Sequence, residues 1–348
     1  MSIRRSRWPS VVTSRQRARG LGIIGEEFAT GPHNALTDVP GVRVGHVTVR
    51  DGGDLHTGVT AIVPDQVLAR RVLPAGLFVG NGFGKLIGAT QLQELGEIET
   101  PILLTGTLSA FRVADAMVTW MLDRPGNQEM VSVNPIVGET NDGWLSDIRA
   151  RPITAEHVFA ALDGARAGPV TEGCVGAGTG TTALGFKAGI GTSSRSVPLP
   201  TGELVMLGVL VQSNFGGTLR VDGVVVPAPA PMVATTNPRG NSCMIVVATD
   251  ARLDSRQLTR LATRAVFAMG RVGASFSHGS GDYGIAFSTE DGPTVTGQGT
   301  DPLFTAVQDA TEEALLNSLF MAETTTGFRG RVVPAVNLDQ IRAKISGR

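Results

Sequence analysis

Residues 238–250 read PRGNSCMIVVATD, a polar loop that runs directly into an apolar segment. Residues 244–249 form a continuous run whose length suits a β-strand buried on both faces. Ser242 stands where the loop enters this predicted strand. By itself, this position fits either a serine that simply begins a strand or a nucleophile held at a strand end.

The chemistry of an N-terminal serine makes the second interpretation attractive. A serine hydroxyl is a poor nucleophile until a base removes its proton. Histidine is the usual base, but the five histidines are scattered and do not indicate a triad. A serine that becomes an N-terminus carries its own base, because an α-amine has a pKa of about 7.7–8.0. Its hydroxyl can also cut the preceding Asn241–Ser242 bond by an N-to-O acyl shift.

Apolar patterns outside this segment predict a mixture of strands and helices. Residues 38–41 (DVPG) predict a turn before an alternating strand. The predicted strands and helices mix without strict alternation, which favours a layered α+β fold over a doubly wound sheet. The further predicted strands are 58–64, 75–79, 204–212 and 283–288, and the predicted helices are 88–95, 110–122, 254–269 and 305–321.

Three glycine-containing motifs fail on their own spacing. Residues 80–85 end in Gly-Lys, but Val79 and Leu86 stand where a P-loop requires glycine and serine or threonine. Residues 176–180 lack the third glycine of a dinucleotide-binding motif. The glycines around Ser280 are too close for a nucleophile elbow. Turns or oxyanion-hole backbone explain these glycines better than a nucleotide site.

Composition excludes several other classes of protein. The net charge of −1 argues against a nucleic-acid partner. The scattered histidines and only two cysteines argue against a zinc site or a disulfide framework. No stretch approaches the roughly 20 apolar residues of a membrane helix, and no signal-peptide pattern is present. We therefore expect a cytoplasmic protein, with residues 1–20 forming a flexible or surface-lying Arg-rich arm.

Eight separated motifs together resemble those of a known family. The motifs are NALTDVPGVRVGHVTV (34–49), VGNGFGKLIG (79–88), VGETNDGWLSDI (137–148), GAGTGTTALGFKAGIGTSSR (176–195), VLVQSNFG (209–216), GNSCMIVVATDA (240–251), FSHGSGDYGIAFST (276–289) and ATEEALLNSLFMAETTTG (310–327). In the same order, they are similar to motifs of the aminopeptidase family that contains the L-aminopeptidase/D-esterase-amidases and the β-aminopeptidases, with nylon-oligomer hydrolases as more distant relatives. The resemblance extends from about residue 21 to about residue 339.

The resemblance implies an architecture and a maturation step. It implies a four-layer α/β/β/α sandwich, similar in layers to N-terminal-nucleophile hydrolases but connected differently. One hydrolase domain, 21–348, would cleave itself into an α chain, 1–241, and a β chain, 242–348. The family also implies a homo-oligomer, often a tetramer, without a metal or cofactor.

The resemblance also implies roles for individual residues. Ser242 would be the nucleophile, Ser280 would contact its hydroxyl or amine, and Asp282 would orient the group electrostatically. Asn214 would donate to the oxyanion, as an amide NH₂ can. Glu139 would accept the substrate's ammonium group.

Two features depart from the family pattern. Some members have a tyrosine near the Glu139 motif, whereas this chain has Asn141 and Trp144. Cys243, directly after the nucleophile, is predicted to be a small buried residue.

The sequence therefore predicts an aminopeptidase or amidase that removes one N-terminal residue from small peptides, amides or esters. An amidase acting on ω-amino or synthetic oligomers is the first alternative. An acyltransferase of similar fold is the second, although the related ornithine acetyltransferase is expected to use threonine. A non-catalytic binding protein, which would remain one chain, is the third.

Overall fold

Two β-sheets provide the framework of the computed structural model, which describes residues 15–25, 27–229, 241–292, 295 and 297–346. In chain order, the strands of these two sheets and of three small hairpins are Val42–Arg50 (β1), His56–Pro64 (β2), Leu73–Gly82 (β3), Leu86–Ile87 (β4), Glu97–Ile98 (β5), Ile102–Gly106 (β6), Ile136–Thr140 (β7), Thr182–Ala183 (β8), Phe186–Lys187 (β9), Ile190–Pro198 (β10), Leu204–Asn214 (β11), Arg220–Val221 (β12), Val224–Val225 (β13), Asn241–Thr249 (β14), Ser280–Ser288 (β15), Thr325–Gly327 (β16) and Arg331–Val333 (β17).

The five-stranded sheet has the order β1-β2-β6-β7-β4, and the six-stranded sheet has the order β10-β11-β14-β15-β3-β5. Both sheets contain one parallel pair among antiparallel neighbours, β6 with β7 and β14 with β15. The helices are Asp65–Leu68 (α1), Ala89–Glu94 (α2), Ala110–Leu122 (α3), Ala155–Asp163 (α4), Ser255–Arg271 (α5), Asp301–Phe320 (α6) and Leu338–Ser346 (α7).

Three apolar cores show that the elements form four layers. Apolar side chains of the two sheets, such as Leu104 and Val246, meet in a central core. Helices α3 and α4 cover the outer face of the five-stranded sheet. Helices α5 and α6 cover the outer face of the six-stranded sheet. The predicted α+β class and the α/β/β/α order of layers are confirmed.

The predicted elements recur with small differences at their ends. The helices predicted over 88–95, 110–122, 254–269 and 305–321 are α2, α3, α5 and α6. The last of these begins four residues early, at Asp301, since Pro302 is accommodated in the first turn of a helix. Sequence reasoning missed α4, which begins after Thr154, whose backbone N–H donates to His157 Nδ1 at 3.1 Å. The predicted turn at 38–41 places Gly41 at a φ of +77°, which favours glycine.

The structure describes only the last residues of the predicted arm. Residues 1–14 lie outside the described part of the chain, but Arg17 and Arg19 form ion pairs with the buried carboxylates of Glu172 and Glu313 at 2.9 and 3.1 Å. The Ala18 N–H also donates to the Asn317 side chain at 2.9 Å. Residues 15–20 are therefore anchored to the body of the protein, because buried carboxylates need cationic or hydrogen-bonding partners.

Candidate active site

Ser242 is the second residue of β14 and lies between two neighbouring strands. In the antiparallel register with β11 it stands opposite Asn214, and in the parallel register with β15 it stands beside Gly281. Its side chain is buried at 3% exposure. The hydroxyl donates to the Asn241 carbonyl oxygen at 2.5 Å, so its oxygen lies against the peptide bond whose cleavage the sequence predicts.

Asn214 ends β11 on the same face of the sheet as Ser242. Directly opposed residues of an antiparallel pair have Cβ atoms about 4.5–5.5 Å apart. The Asn214 Oδ1 atom accepts a hydrogen bond from the Thr182 backbone N–H at 3.1 Å, which directs the amide oxygen toward β8. The structure therefore brings the predicted oxyanion side chain next to the predicted nucleophile.

Ser280 and Asp282 lie on the other face of the same sheet. Side chains alternate along a strand, and Ser242 shares the parity of Met244, which packs between the sheets. Asp282 shares the parity of Ala286, which packs in the core beneath α5 and α6. The Ser280 hydroxyl donates to Asp282 Oδ1 at 2.7 Å. Among the described residues, the Ser242 side chain hydrogen-bonds only to Asn241 and not to Ser280.

The backbone connects the Ser280–Asp282 pair to the nucleophile. In the parallel register Cys243 stands beside Asp282, and Asn241 stands beside Ser280. Ser242 lies between these two residues of β14, and its nitrogen is bonded to the carbonyl carbon of Asn241. Cleavage would therefore release the amine of Ser242 beside Ser280 and Asp282. The contact predicted for Ser280 thus fits the Ser242 amine better than the Ser242 hydroxyl.

Burial controls the protonation of the groups on this helix-facing side. It raises the pKa of Asp282 to about 6, although the Ser280 hydroxyl and the Cys243 N–H favour the ionised form. Burial also raises the pKa of the Cys243 thiol, and this side chain is fully buried, as predicted from the sequence. The thiol lies in the apolar core on the helix side, so it does not share a face with the Ser242 hydroxyl.

The Ser242 hydroxyl face opens into a cavity of about 360 Å³. Glu139, at the end of β7, lines this cavity with a carboxylate that is only 2% exposed. A Cβ atom at position 84 would come within 3.2 Å of Glu139 Oε1, so Gly84 allows the loop to approach the carboxylate closely. The residues that line the cavity are 82–85, Thr107, Glu139, Asn141 and Ser242.

Lys85 is a residue of this cavity that sequence reasoning missed. Its backbone N–H donates to Glu139 Oε1 at 2.8 Å, and its ammonium lies 3.5 Å from the same oxygen. The ammonium also donates to Thr107 Oγ1 at 2.6 Å. The signals in the sequence are the Gly-Lys pair at 84–85, whose spacing does not fit a P-loop, and the family motif at 79–88. Asn141, noted as a departure from the family pattern, lies in the cavity as well.

Asp142, three residues after Glu139, is a second buried carboxyl group near the site. It is 1% exposed, and burial together with the Glu139 charge raises its pKa to about 6. The Thr57 side chain favours the ionised form and opposes this rise.

Comparison with known proteins identifies the family. Residues 34–333 match peptidase family S58. This chain belongs to peptidase family S58. The beta-peptidyl aminopeptidase BapA of Sphingosinicella xenopeptidilytica is 39% identical over 95% of this chain and 91% of its own length. Membership of family S58 and this likeness make the protein a serine-type aminopeptidase, a hydrolase.

Solved structures of S58-like enzymes share the fold. A Burkholderia sp. beta-aminopeptidase superposes with a TM-score of 0.83 at 36% identity, covering 95% of this chain and 99% of that one. The L-aminopeptidase D-Ala-esterase/amidase of Ochrobactrum anthropi superposes with a TM-score of 0.84 at 35% identity, with the same coverage. The latter is described as a prototype of the serine aminopeptidases and a variant of the N-terminal-nucleophile hydrolase fold. The predicted family resemblance is confirmed.

The described residues contain neither a membrane-spanning helix nor a cluster of metal-ligating side chains. No helix in this part of the S58 chain is long and apolar enough to cross a membrane. Within the same residues, no three His, Cys, Asp or Glu side chains are grouped so that they could hold a metal ion.

Proposed function

We propose that the protein cleaves its own Asn241–Ser242 bond and then works as an aminopeptidase through the released N-terminal serine. The observation that carries this proposal is the placement of Ser242, whose hydroxyl touches the Asn241 carbonyl and opens into the Glu139 cavity. Residues 1–241 would become the α chain, and residues 242–348 would become the β chain.

The maturation step is an N-to-O acyl shift followed by hydrolysis. The Ser242 oxygen attacks the Asn241 carbonyl carbon, the C–N bond breaks, and the nitrogen takes the hydroxyl proton. Water then hydrolyses the resulting ester, which leaves a carboxylate on Asn241 and both a hydroxyl and a free amine on Ser242. Ser280 and Asp282, which lie along the backbone at this point, would stabilise the new ammonium group.

The catalytic cycle repeats this chemistry on an external substrate. Glu139 binds the substrate's ammonium group, and the Ser242 amine takes the proton as its oxygen attacks the scissile carbonyl. The Asn214 amide donates to the oxyanion, because it projects from the same face as the nucleophile. The departing amine takes the proton, and water releases the acyl group from Ser242.

Small peptides, amino-acid amides or esters are the proposed substrates, since the cavity of about 360 Å³ accepts one residue rather than a folded protein. The similar proteins of Sphingosinicella and Burkholderia are named a beta-peptidyl aminopeptidase and a beta-aminopeptidase, which supports β-amino acid derivatives as the first substrates to test. Adding an acceptor amine and analysing the products separates hydrolysis from acyl transfer.

We further propose that the processed units form a cytoplasmic homo-oligomer, with a tetramer as the expected size. Exposed apolar side chains such as Phe267 and Leu95, at 58% and 64% exposure, support association. Cys174 and Cys243 are both free thiols, which fits a reducing compartment. Light scattering after size-exclusion chromatography measures the mass of the assembly.

Intact mass of the purified, denatured protein tests the proposal directly. We expect two species with the masses of residues 1–241 and 242–348 in the wild-type protein and one full-length species in Ser242→Ala. The Ser132→Ala variant, which alters an exposed serine before β7, controls for nonspecific effects and should be cut like the wild type. An alanine variant at position 242 that is cut, or that hydrolyses an aminoacyl amide, would refute the mechanism.

A further inference from the structure

The end of the active-site cavity holds two opposite charges rather than a carboxylate alone. Glu139 Oε1 and Lys85 Nζ are 3.5 Å apart. The carboxylate is 2% exposed, whereas the lysine side chain is 37% exposed and faces the space that a substrate enters. A lysine in this place weakens the attraction of Glu139 for a simple ammonium group. The pair instead complements a group that carries both a positive and a negative charge.

A second cavity, of about 460 Å³, continues from the first and shares Lys85 and Thr107 with it. Its other lining residues are Leu108, Phe111, Arg149 and Arg151. All the charged residues of this lining are cations. Arg151 Nε donates to the Leu108 carbonyl at 3.1 Å, which fixes the base of its guanidinium group beside the cavity. The surroundings of Lys85 therefore favour an anion.

We propose that the preferred substrates begin with an acidic residue joined through its side-chain carboxyl group, a β-aspartyl or γ-glutamyl residue. The free end of such a residue bears an ammonium and a carboxylate on one carbon atom. Glu139 binds the ammonium, and Lys85 binds the carboxylate. Arg149 and Arg151 add a favourable field at longer range. This inference rests on the proposed aminopeptidase function and specifies its substrate class.

The linkage follows from the closeness of the two charges, since Lys85 Nζ and Glu139 Oε1 are 3.5 Å apart in the cavity that Ser242 also lines. In an ω-linked residue the scissile carbonyl is separated from the zwitterionic carbon by one or two methylene groups. In an α-linked aspartyl residue the carbonyl is attached directly to the carbon that bears the ammonium, so Lys85 has no carboxylate at that carbon to bind.

Three aromatic amides with the same leaving group test the proposal on the processed enzyme. They are β-aspartyl, the same residue with its α-carboxylate replaced by a neutral carboxamide, and α-aspartyl. We expect kcat/KM for β-aspartyl to exceed that for the carboxamide analogue roughly tenfold to hundredfold, the range of one charge-assisted hydrogen bond. A γ-glutamyl amide and its carboxamide measure the effect of one added methylene group and should show the same preference.

Lys85→Gln provides the decisive variant. The ratio of kcat/KM between β-aspartyl and its carboxamide should fall toward one, because only the charged substrate loses a partner. Arg124→Gln removes a cation that stacks on Trp120, near the far end of α3, and should retain the wild-type ratio. A wild-type ratio near one, a ratio that survives Lys85→Gln, or a preference for α-aspartyl would overturn this inference alone. An uncut chain that hydrolyses none of these amides would overturn the proposed function as well.

Discussion

The protonation of Asp282, on the helix-facing side of the active site, can be tested through the pH dependence of stability. Its side chain is fully buried, and burial raises its pKa from 3.8 to about 6. Between these values the folded chain holds a proton that the unfolded chain has lost. The contribution of this group to the free energy of unfolding is therefore fully present below about pH 4 and is lost as the pH rises through 6. At 1.36 kcal/mol for each unit by which the pKa is raised, the free energy of unfolding falls by roughly 3 kcal/mol.

The assay uses uncut proteins, so that cleavage does not change the surroundings of the carboxyl group. Urea unfolding of Ser242→Ala is compared with that of Ser242→Ala/Asp282→Asn at several pH values from 4 to 8. The asparagine carries no titratable proton, so any fixed change in hydrogen bonding contributes equally at every pH. Asp142, with a pKa of about 6, and Glu172, with a pKa raised by burial to about 7, titrate in both proteins and cancel.

We expect the single variant to lose roughly 3 kcal/mol relative to the double variant between pH 4 and pH 8. A difference that stays constant, or that favours the single variant at high pH, would refute the reasoning. It would mean that Ser280 and the Cys243 N–H outweigh burial and keep Asp282 ionised. In the cleaved wild-type enzyme the ammonium of Ser242 should lower this pKa, so the pH dependence should shrink.

Three further substitutions test the hydroxyl-facing side and the layers. Asn214→Ala should lower kcat by roughly 10²–10³-fold, since it removes an oxyanion donor, and intact mass must show that cleavage still occurs. Glu139→Gln should lower kcat/KM roughly 10- to 100-fold, chiefly by raising KM. The control Glu129→Gln alters an exposed glutamate and should leave kcat/KM unchanged. If the two variants lose the same amount of kcat/KM, Glu139 does not bind the substrate's ammonium group. Gly45→Ala should lower the free energy of unfolding by roughly 2–3 kcal/mol, because the added Cβ would collide with the Ala161 carbonyl of α4. The control Gly53→Ala places its Cβ in open space and should leave the free energy of unfolding nearly unchanged. Urea unfolding measures both values.

Local patterns were sufficient to predict most of the fold. Helices α3, α5 and α6 have long amphipathic or apolar repeats, and β11 and β14 are nearly continuous apolar runs. The order of the strands did not follow from these patterns. Pairing of β14 with both β11 and β15 joins segments far apart in sequence, and only tertiary structure determines that register.

The faces of the site residues were hidden for a related reason. Because β14 is buried on both sides, its sequence shows no alternation between apolar and polar residues. Nothing in residues 242–249 indicates that the serine faces the other sheet while Cys243 faces the helices. Lys85 was missed because neither the P-loop comparison nor the motif at 79–88 assigns it a role. That role depends on Glu139 of β7, which the pairing of β4 with β7 brings beside it. The roles of Ser280, Asp282, Asn214 and Glu139 stay predictions that the substitutions above test.

The arrangement of the two faces gives a physical reason for an N-terminal nucleophile here. The substrate cavity lies between the sheets, whereas the Ser280–Asp282 pair lies beneath the helices. A side-chain base on the helix side cannot reach the Ser242 hydroxyl through the sheet. The nitrogen of Ser242 is bonded to the same carbon as its hydroxyl-bearing side chain, and it lies in the plane of the sheet between the two faces. Freeing this nitrogen from Asn241 therefore supplies a base that contacts the substrate side and is stabilised from the helix side.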